Sequence, residues 1–150
     1  MKKVLFVCHG NICRSPMAEF VLKDMVRRSK VADEFYIASA ATSQEEIGNG
    51  PHPGTIRVLK AHGIDVSKKK SAVQMVKEDY NKYDYLIGMD HYNIKNMKKI
   101  CDGDPEGKMI RLLDFAGEDR DVDDPWYTNR FEITYEDIVA GCRGLLDSIL

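Results

Sequence analysis

A short apolar run, a glycine-containing loop and a helix start follow one another within the first twenty residues. Residues 2–7 (KKVLFV) predict a parallel β-strand buried on both faces, because the apolar residues are continuous rather than alternating. The loop Cys8–Ser15 (CHGNICRS) comes next, and Ser15 and Pro16 are typical of an N-cap and a first helical residue. We therefore expect Cys8 at the carboxyl end of the strand and a helix over residues 16–30.

Strand signals recur along the chain and alternate with helix signals, which predicts an α/β fold. Further strands are predicted at residues 35–38, 83–89 and 108–113. The expected architecture is a three-layer sandwich in which a four-stranded parallel sheet is flanked by helices. The loop Cys8–Ser15 would follow the first strand, beyond the carboxyl end of the sheet where such folds bind ligands.

The helices between these strands have recognisable ends. Residues 48–54 are rich in glycine and proline and are predicted to be loop, and the next helix is predicted to end at Ala61–Gly63. A helix over residues 90–100 has an acidic start and lysines near its end, as the helix dipole favours. The capping-box pattern Thr134–Asp137 is expected to open a C-terminal helix.

Length, charge and cysteine content restrict the class of protein. A chain of 150 residues is expected to form one domain, residues 1–150. Its net charge of −2 argues against a nucleic-acid surface, and no apolar run has the length of an export signal or a membrane span. The cysteines at positions 8, 13, 101 and 142 lack zinc-type spacing. We expect reduced thiols in a cytoplasmic protein with no metal site.

The loop Cys8–Ser15 combines a nucleophile with an anion-binding environment. Backbone amides around a tight turn and the positive end of a helix dipole bind a dianion and favour the thiolate form of a cysteine. Arg14 offers a planar fork of donors for two phosphate oxygens, and Ser15 can donate its hydroxyl to the sulfur. Gly10 and Asn11 both suit a left-handed backbone conformation. These residue types together indicate chemistry on a phosphate ester.

Residues 7–16 (VCHGNICRSP) resemble the signature of the low-molecular-weight protein tyrosine phosphatases. The resemblance continues in order and spacing over nearly the whole chain, through Ser39–Ser43, Ile47–Gly48, His62–Ile64, Tyr85–Asp90 and Asp123–Tyr127. It implies hydrolysis of phosphotyrosine and small aryl phosphates through a phosphocysteine intermediate, without a cofactor. The catalytic residues would be Cys8 and Arg14, and the substrate-binding residues of the loop would be His9, Gly10, Asn11, Ile12, Cys13 and Ser15.

The acidic segment Glu118–Asp124 carries the candidate general acid. Five of its seven residues are carboxylates, most of which are expected to be solvated. Asp124 differs because Pro125 fixes the chain beside it, and the resemblance assigns the proton-donor role to the aspartate before this proline. Asp123 is the second candidate. Trp126 and Tyr127 follow, and their rings would either bind a flat aromatic substrate or pack in the core.

Three positions depart from the family pattern or leave alternatives open. The rim segment Glu45–Ile47, whose Ile47 is assigned to substrate binding, has two glutamates where a bulky aromatic is common, which should disfavour acidic residues beside the phosphotyrosine. Lys68–Lys70 stand where many members have a histidine that supports Asn11. Cys13 is either a buried thiol or the partner of Cys8 in a reversible disulfide, as the resemblance implies.

Three other functions fit parts of the same pattern. An arsenate reductase of this fold would need further cysteines a few residues apart, but Cys101 and Cys142 are far separated. An arginine phosphatase would typically have threonine in place of Ile12. A non-catalytic phosphopeptide-binding module would not need Cys8 or Asp124. The preferred hypothesis is therefore a monomeric tyrosine phosphatase whose partner is a phosphotyrosine-containing protein, with no nucleic-acid or membrane partner.

Overall fold

A four-stranded parallel sheet forms the centre of the computed structural model, which describes all 150 residues. Its strands are β1 (Lys2–Cys8), β2 (Phe35–Ala41), β3 (Tyr85–Gly88) and β4 (Met109–Arg111), and their order in the sheet is β2-β1-β3-β4. The predicted three-layer α/β fold is confirmed. Strand β2 lies on one side of β1 and β3 on the other, so the strand order reverses at β1. The carboxyl end of β1 therefore lies at the place where such sheets bind ligands.

Helices cover both faces of this sheet. Helix α1 (Arg14–Arg28) packs against α6 (Phe131–Ile149) and α2 (Pro53–Ala61) on one face, whereas α4 (His91–Cys101) contacts β3 and β4. None of the helices combines the length and the apolar composition that crossing a membrane requires. The helices are α1 (Arg14–Arg28), α2 (Pro53–Ala61), α3 (Asp79–Lys82), α4 (His91–Cys101), α5 (Pro125–Thr128) and α6 (Phe131–Ile149), with 3-10 helices at Ala32–Glu34 and Leu112–Ala116.

Strand β1 is buried on both faces, as its continuous apolar run predicts. Val4 and Phe6 belong to the larger core cluster, which includes residues of α1 and α6. Leu5 and Val7 belong to the second cluster, with Met97 of α4. The central strand therefore holds Cys8 at the end of a fully enclosed segment.

Two predicted helix starts are wrong. The side chains that were expected to cap these helices, Ser15 and Thr134, instead contact residues outside them. Helix α1 begins at Arg14 after an N-cap at Cys13, while the hydroxyl of Ser15 lies 3.0 Å from the sulfur of Cys8. Helix α6 begins at Phe131 rather than at the pattern Thr134–Asp137. Thr134 is buried in the second turn, where its hydroxyl donates to the backbone carbonyl of Asp123 over 3.2 Å.

The other predicted boundaries differ by a few residues. Strand β2 continues to Ala41, whereas β3 and β4 are shorter than predicted. Pro53 and Gly54 lie inside α2 rather than in the loop. Glycine is required at position 54, since a Cβ there would lie 2.5 Å from the ring of Phe131. Helix α4 starts as predicted, with Asp90 and Asn93 forming a capping box.

Candidate active site

The turn between β1 and α1 directs three hydrogen-bond donors at the sulfur of Cys8. The backbone N–H groups of Asn11 and Ser15 donate to Sγ over 3.3 and 3.4 Å, and Ser15 Oγ lies 3.0 Å away. Asn11 has the left-handed conformation that the turn needs, with φ of +58°. All three groups can donate a proton, so each is of the type that bonds a negatively charged sulfur.

Arg14 is buried near this sulfur, and hydrogen bonds to other parts of the chain fix its guanidinium group. Its Nη1 donates to Asp90 Oδ2 over 2.8 Å and to the carbonyl of Val122 over 2.9 Å. Its Nη2 lies 3.5 Å from Asp124 Oδ2. Burial by itself lowers the pKa of Arg14, but the charges of Cys8, Asp124 and Asp90 outweigh burial and raise this pKa above its usual value. The guanidinium is therefore a permanent cation in a fixed orientation.

Asp124 faces the same space from a different part of the chain. It is the N-cap of α5, where its Oδ1 accepts from the backbone N–H of Trp126 over 3.0 Å. This leaves Oδ2 directed towards Arg14 in a side chain that is 25% exposed. Asp123 is exposed and contributes only its backbone carbonyl, to Thr134. The structure therefore brings Asp124 rather than Asp123 to the cysteine loop.

The acidic loop before Asp124 is anchored rather than simply solvated. Arg111 forms ion pairs with Asp119 and Asp121 of this loop and with Asp114, which precedes the loop. Asp121 also accepts from the backbone N–H and the ring of His91. Burial raises the pKa of Asp121, but the bonds from His91 and Arg111 outweigh burial and lower it. The sequence analysis missed these contacts, since no local pattern connects Arg111 or His91 with Asp121.

A cleft of about 180 Å³ opens above Cys8. Asn11 and Ser15 belong to the loop, but both are buried and do not line the cleft, and Ile47 lies outside the cleft with 51% of its surface exposed. No group of three or more histidine, cysteine or acidic side chains is arranged to hold a metal ion. The residues that line the cleft are Cys8, His9, Gly10, Ile12, Cys13, Arg14, Glu45, Glu46, Asp124, Trp126 and Tyr127.

The mouth of the cleft has one acidic and one aromatic wall. His9 Nε2 lies 2.8 Å from Glu45 Oε2, and Asn49 donates to Glu46 Oε2 over 2.7 Å, so both glutamates are held at the rim. Opposite them, Trp126 is 57% and Tyr127 is 84% exposed. Exposed rings of this size beside a cleft provide a surface for an aromatic ligand.

Cys13 and Cys8 have different surroundings despite sharing one loop. Both are free thiols, and both are buried. Burial, followed by the charge of Cys8, raises the pKa of Cys13 to about 12. Cys13 is therefore a neutral thiol at pH 7, whereas the sulfur of Cys8 accepts from the backbone N–H groups of Asn11 and Ser15. The disulfide between the two residues stays a prediction.

Comparison with known proteins finds matches that extend over nearly the whole chain. The family model described as "Low molecular weight phosphotyrosine protein phosphatase" matches residues 3–150. The low molecular weight protein-tyrosine-phosphatase PtpA of Staphylococcus aureus is 36% identical over 151 residues, which cover 100% of this chain and 95% of that protein.

Solved structures are similar in fold as well as sequence. YfkJ from Bacillus subtilis has a TM-score of 0.94 and 39% identity, covering 99% of this chain and 94% of that one. SP-PTP, a low molecular weight protein tyrosine phosphatase from Streptococcus pyogenes, has a TM-score of 0.90 and 44% identity, covering 100% and 94%. The chain belongs to the low-molecular-weight phosphotyrosine protein phosphatase family.

Proposed function

We propose that this protein hydrolyses phosphotyrosine in proteins, as well as small aryl phosphates, with Cys8 as nucleophile, Arg14 as phosphate-binding residue and Asp124 as general acid. One observation carries the proposal. The sulfur of Cys8 accepts from two backbone N–H groups and lies 3.0 Å from Ser15 Oγ, in the cleft where the carboxylate of Asp124 lies 3.5 Å from Arg14. A nucleophile, a cation and an acid thus line one cleft of about 180 Å³.

In the first step the thiolate of Cys8 attacks phosphorus. The sulfur–phosphorus bond forms as the bond from phosphorus to the phenolic oxygen breaks, and Asp124 gives its proton to that oxygen. Arg14 and the loop amides hold the three remaining oxygens, on which negative charge accumulates. The product leaves as a neutral phenol rather than as a phenolate.

In the second step Asp124, now ionised, takes a proton from water. The water oxygen attacks phosphorus, the sulfur–phosphorus bond breaks, and Cys8 leaves as a thiolate. Ser15 can stabilise this departing charge because its hydroxyl lies 3.0 Å from Sγ. Inorganic phosphate is released, and the chain's own residues carry every proton transfer.

The walls of the cleft suggest which substrates fit. The exposed rings of Trp126 and Tyr127 suit the aromatic ring of phosphotyrosine, while Glu45 and Glu46 repel acidic residues beside it. Residues 1–150 act as one catalytic domain in this proposal, and we expect a monomer in the cytoplasm with a phosphoprotein as its only macromolecular partner.

Hydrolysis of an aryl phosphate by the purified protein tests the proposal. We expect turnover in the presence of a metal chelator and none in Cys8→Ser, which keeps the size of the side chain. Phosphopeptide binding without turnover by the natural chain would instead identify a binding module. The same Cys8→Ser variant, used to trap phosphoproteins, then identifies the substrate.

Phosphoarginine is the second candidate substrate. The structure of an arginine phosphatase from Drosophila has a TM-score of 0.88 and 29% identity to this chain. Ile12 lines the cleft here, at the position where an arginine phosphatase would typically have threonine. We therefore expect the ratio of kcat/KM for matched peptides to favour phosphotyrosine over phosphoarginine, and the opposite ratio would reassign the enzyme.

A further inference from the structure

His52, which takes part in neither chemical step, lies beside the aromatic wall of the cleft. Its ring centroid is 5.8 Å from that of Trp126, and the two ring planes are nearly perpendicular, at 84°. This is an arrangement that pairs of aromatic rings favour. Trp126 lines the cleft and His52 does not. The histidine ring therefore acts on a ligand in the cleft through the indole.

Three contacts with different parts of the chain fix the ring of His52. Its backbone N–H donates to the carbonyl of Ile12 in the cysteine loop over 2.7 Å. Its Nδ1 accepts from the backbone N–H of Gly54 over 2.9 Å, which makes the side chain the N-cap of α2. Its ring also stacks on Phe131, the first residue of α6, with the centroids 5.0 Å apart and the planes 22° from parallel.

Phe131, on which the histidine stacks, belongs to the core. Its side chain is buried, and its ring packs so closely on α2 that a Cβ at Gly54 would lie 2.5 Å from it. The ring of His52 is therefore attached to the packed interior between α2 and α6 rather than to the rim of the cleft.

The indole of Trp126 has fewer restraints of its own. It belongs to α5, a helix of four residues, and 57% of its surface is exposed. Its backbone N–H donates to Asp124 Oδ1, but this bond does not fix the side-chain torsions. A side chain that rotates freely loses conformational entropy when a ligand orders it, and this loss weakens binding. Contact with the fixed ring of His52 restricts the indole before any ligand binds.

We propose that His52 is a positioning residue for substrate recognition: it holds the indole of Trp126 in the orientation that receives the aromatic ring of phosphotyrosine. The inference rests on the proposed function, since it concerns the aryl group of that substrate. The phosphate group is bound by Arg14 and the cysteine loop. His52 therefore increases the affinity for the aryl group and leaves the affinity for phosphate unchanged.

Replacement by asparagine removes the ring and keeps a good N-cap for α2. We expect His52→Asn to raise KM for an aryl phosphate about threefold to tenfold, as for the loss of an aromatic pair or the release of one side chain. The change in kcat should be less than about twofold, because the aryl group is bound less tightly in the ground state and the transition state alike. His52→Ser, which also retains a capping side chain, serves if the asparagine variant is unfolded.

Inorganic phosphate, which has no aryl group, provides the matched ligand. Its inhibition constant in His52→Asn should stay within about twofold of that of the natural chain, since Arg14 and the loop amides are unchanged. An unchanged KM for the aryl phosphate would overturn the proposal. Equal rises in KM and in the inhibition constant would overturn it as well, because His52 would then support the phosphate site.

Two further variants separate the ring from the helix cap. His52→Phe keeps a ring without the capping nitrogen, so its KM should stay within about twofold of the natural value even if α2 is less stable. His62→Asn is the control, because His62 also stacks on an aromatic ring, that of Tyr135 at 4.0 Å, but lies outside the cleft. Its KM should match that of the natural chain. Equal rises in KM in His52→Phe and His52→Asn would assign the effect to the cap and refute a role for the ring.

A double-mutant cycle tests whether His52 acts through Trp126. Trp126→Ala removes the indole, so adding His52→Asn to it should raise KM by less than about 1.5-fold more. Rises that multiply in the double variant would contradict this route.

Fluorescence tests the positioning without turnover. Trp126 is the only tryptophan in the chain, so tryptophan emission reports on this side chain alone. The fast component of its anisotropy decay, which arises from motion of the indole, should grow in His52→Asn but not in His52→Phe or His62→Asn. Identical decays in His52→Asn and the natural chain would overturn the proposal. Absent turnover in the natural chain would overturn the proposed function instead, and the anisotropy would still show whether His52 restrains the indole.

Discussion

Replacement of Asp124 by asparagine should remove the general acid and leave the loop in place. The Oδ1 of an asparagine can still accept from the backbone N–H of Trp126, and asparagine is as good an N-cap as aspartate, so α5 should keep its start. The lost function is the proton on Oδ2, the oxygen that faces the cleft beside Arg14.

The size of the loss should depend on the leaving group. A tyrosine hydroxyl has a pKa of about 10, so its phenolate is a poor leaving group and needs protonation. General acid catalysis contributes about 100-fold to 10,000-fold, and we expect Asp124→Asn to lower kcat/KM for a phosphotyrosine peptide by at least roughly 100-fold, or about 2.7 kcal/mol. For an aryl phosphate with a much more acidic phenol, such as nitrophenyl phosphate, the loss should be smaller.

Asp123→Asn is the matched control, because the Asp123 side chain is exposed and only its backbone carbonyl is used, by Thr134. We expect its kcat/KM to stay within about twofold of the natural chain, as for most surface substitutions. Steady-state kinetics on a series of aryl phosphates decides the matter. Equal losses in the two variants, or a loss in Asp124→Asn that ignores the leaving group, would refute the assignment.

Three further predictions concern the rim, the buried carboxylate and a close helix contact. A phosphotyrosine peptide with flanking arginines should have about fivefold higher kcat/KM than one with flanking glutamates at low salt, and Glu45→Lys with Glu46→Lys should reverse this order, whereas the distant Asp33→Lys should not. An order unchanged in the double variant would contradict a role for the rim. Burial raises the pKa of Glu19, but the charge of Lys70, whose Nζ lies 2.8 Å away, and the other bonded groups outweigh burial and hold this pKa below 4.5. The stability that this ion pair contributes is therefore complete above pH 4.5 and is lost as the pH falls below that value. Acid unfolding followed by circular dichroism should therefore occur at higher pH in Lys70→Met than in Lys68→Met, and coincident curves would show that the ion pair contributes nothing. A Cβ at position 144 would lie 2.1 Å from the backbone carbonyl oxygen of Phe115, so Gly144→Ala should lower the free energy of unfolding by about 1–3 kcal/mol or more. Urea unfolding measures this, with exposed Arg143→Ala as a control, and equal stability of the two variants would show that the backbone relaxes freely.

Local patterns in the chain predicted the features that depend on neighbouring residues. The apolar run before Cys8 indicated a central strand, which Val4 to Val7 confirm by entering both cores. The alternation of strands and helices indicated a parallel sheet, and the spacing from Cys8 to Arg14 identified the loop. Such signals are readable because hydrophobic periodicity and turn chemistry operate over a few residues.

Hydrogen bonds between residues far apart in the chain became visible only in the folded protein. Ser15 has the sequence pattern of an N-cap, yet its hydroxyl serves Cys8 and Asn11. Likewise, nothing local in the run Lys68–Lys70 distinguishes the third lysine, which the fold places against Glu19 while the first two stay exposed. A buried polar group must find a partner wherever the packed chain brings one, and that partner is set by the arrangement of β1, β2 and α1.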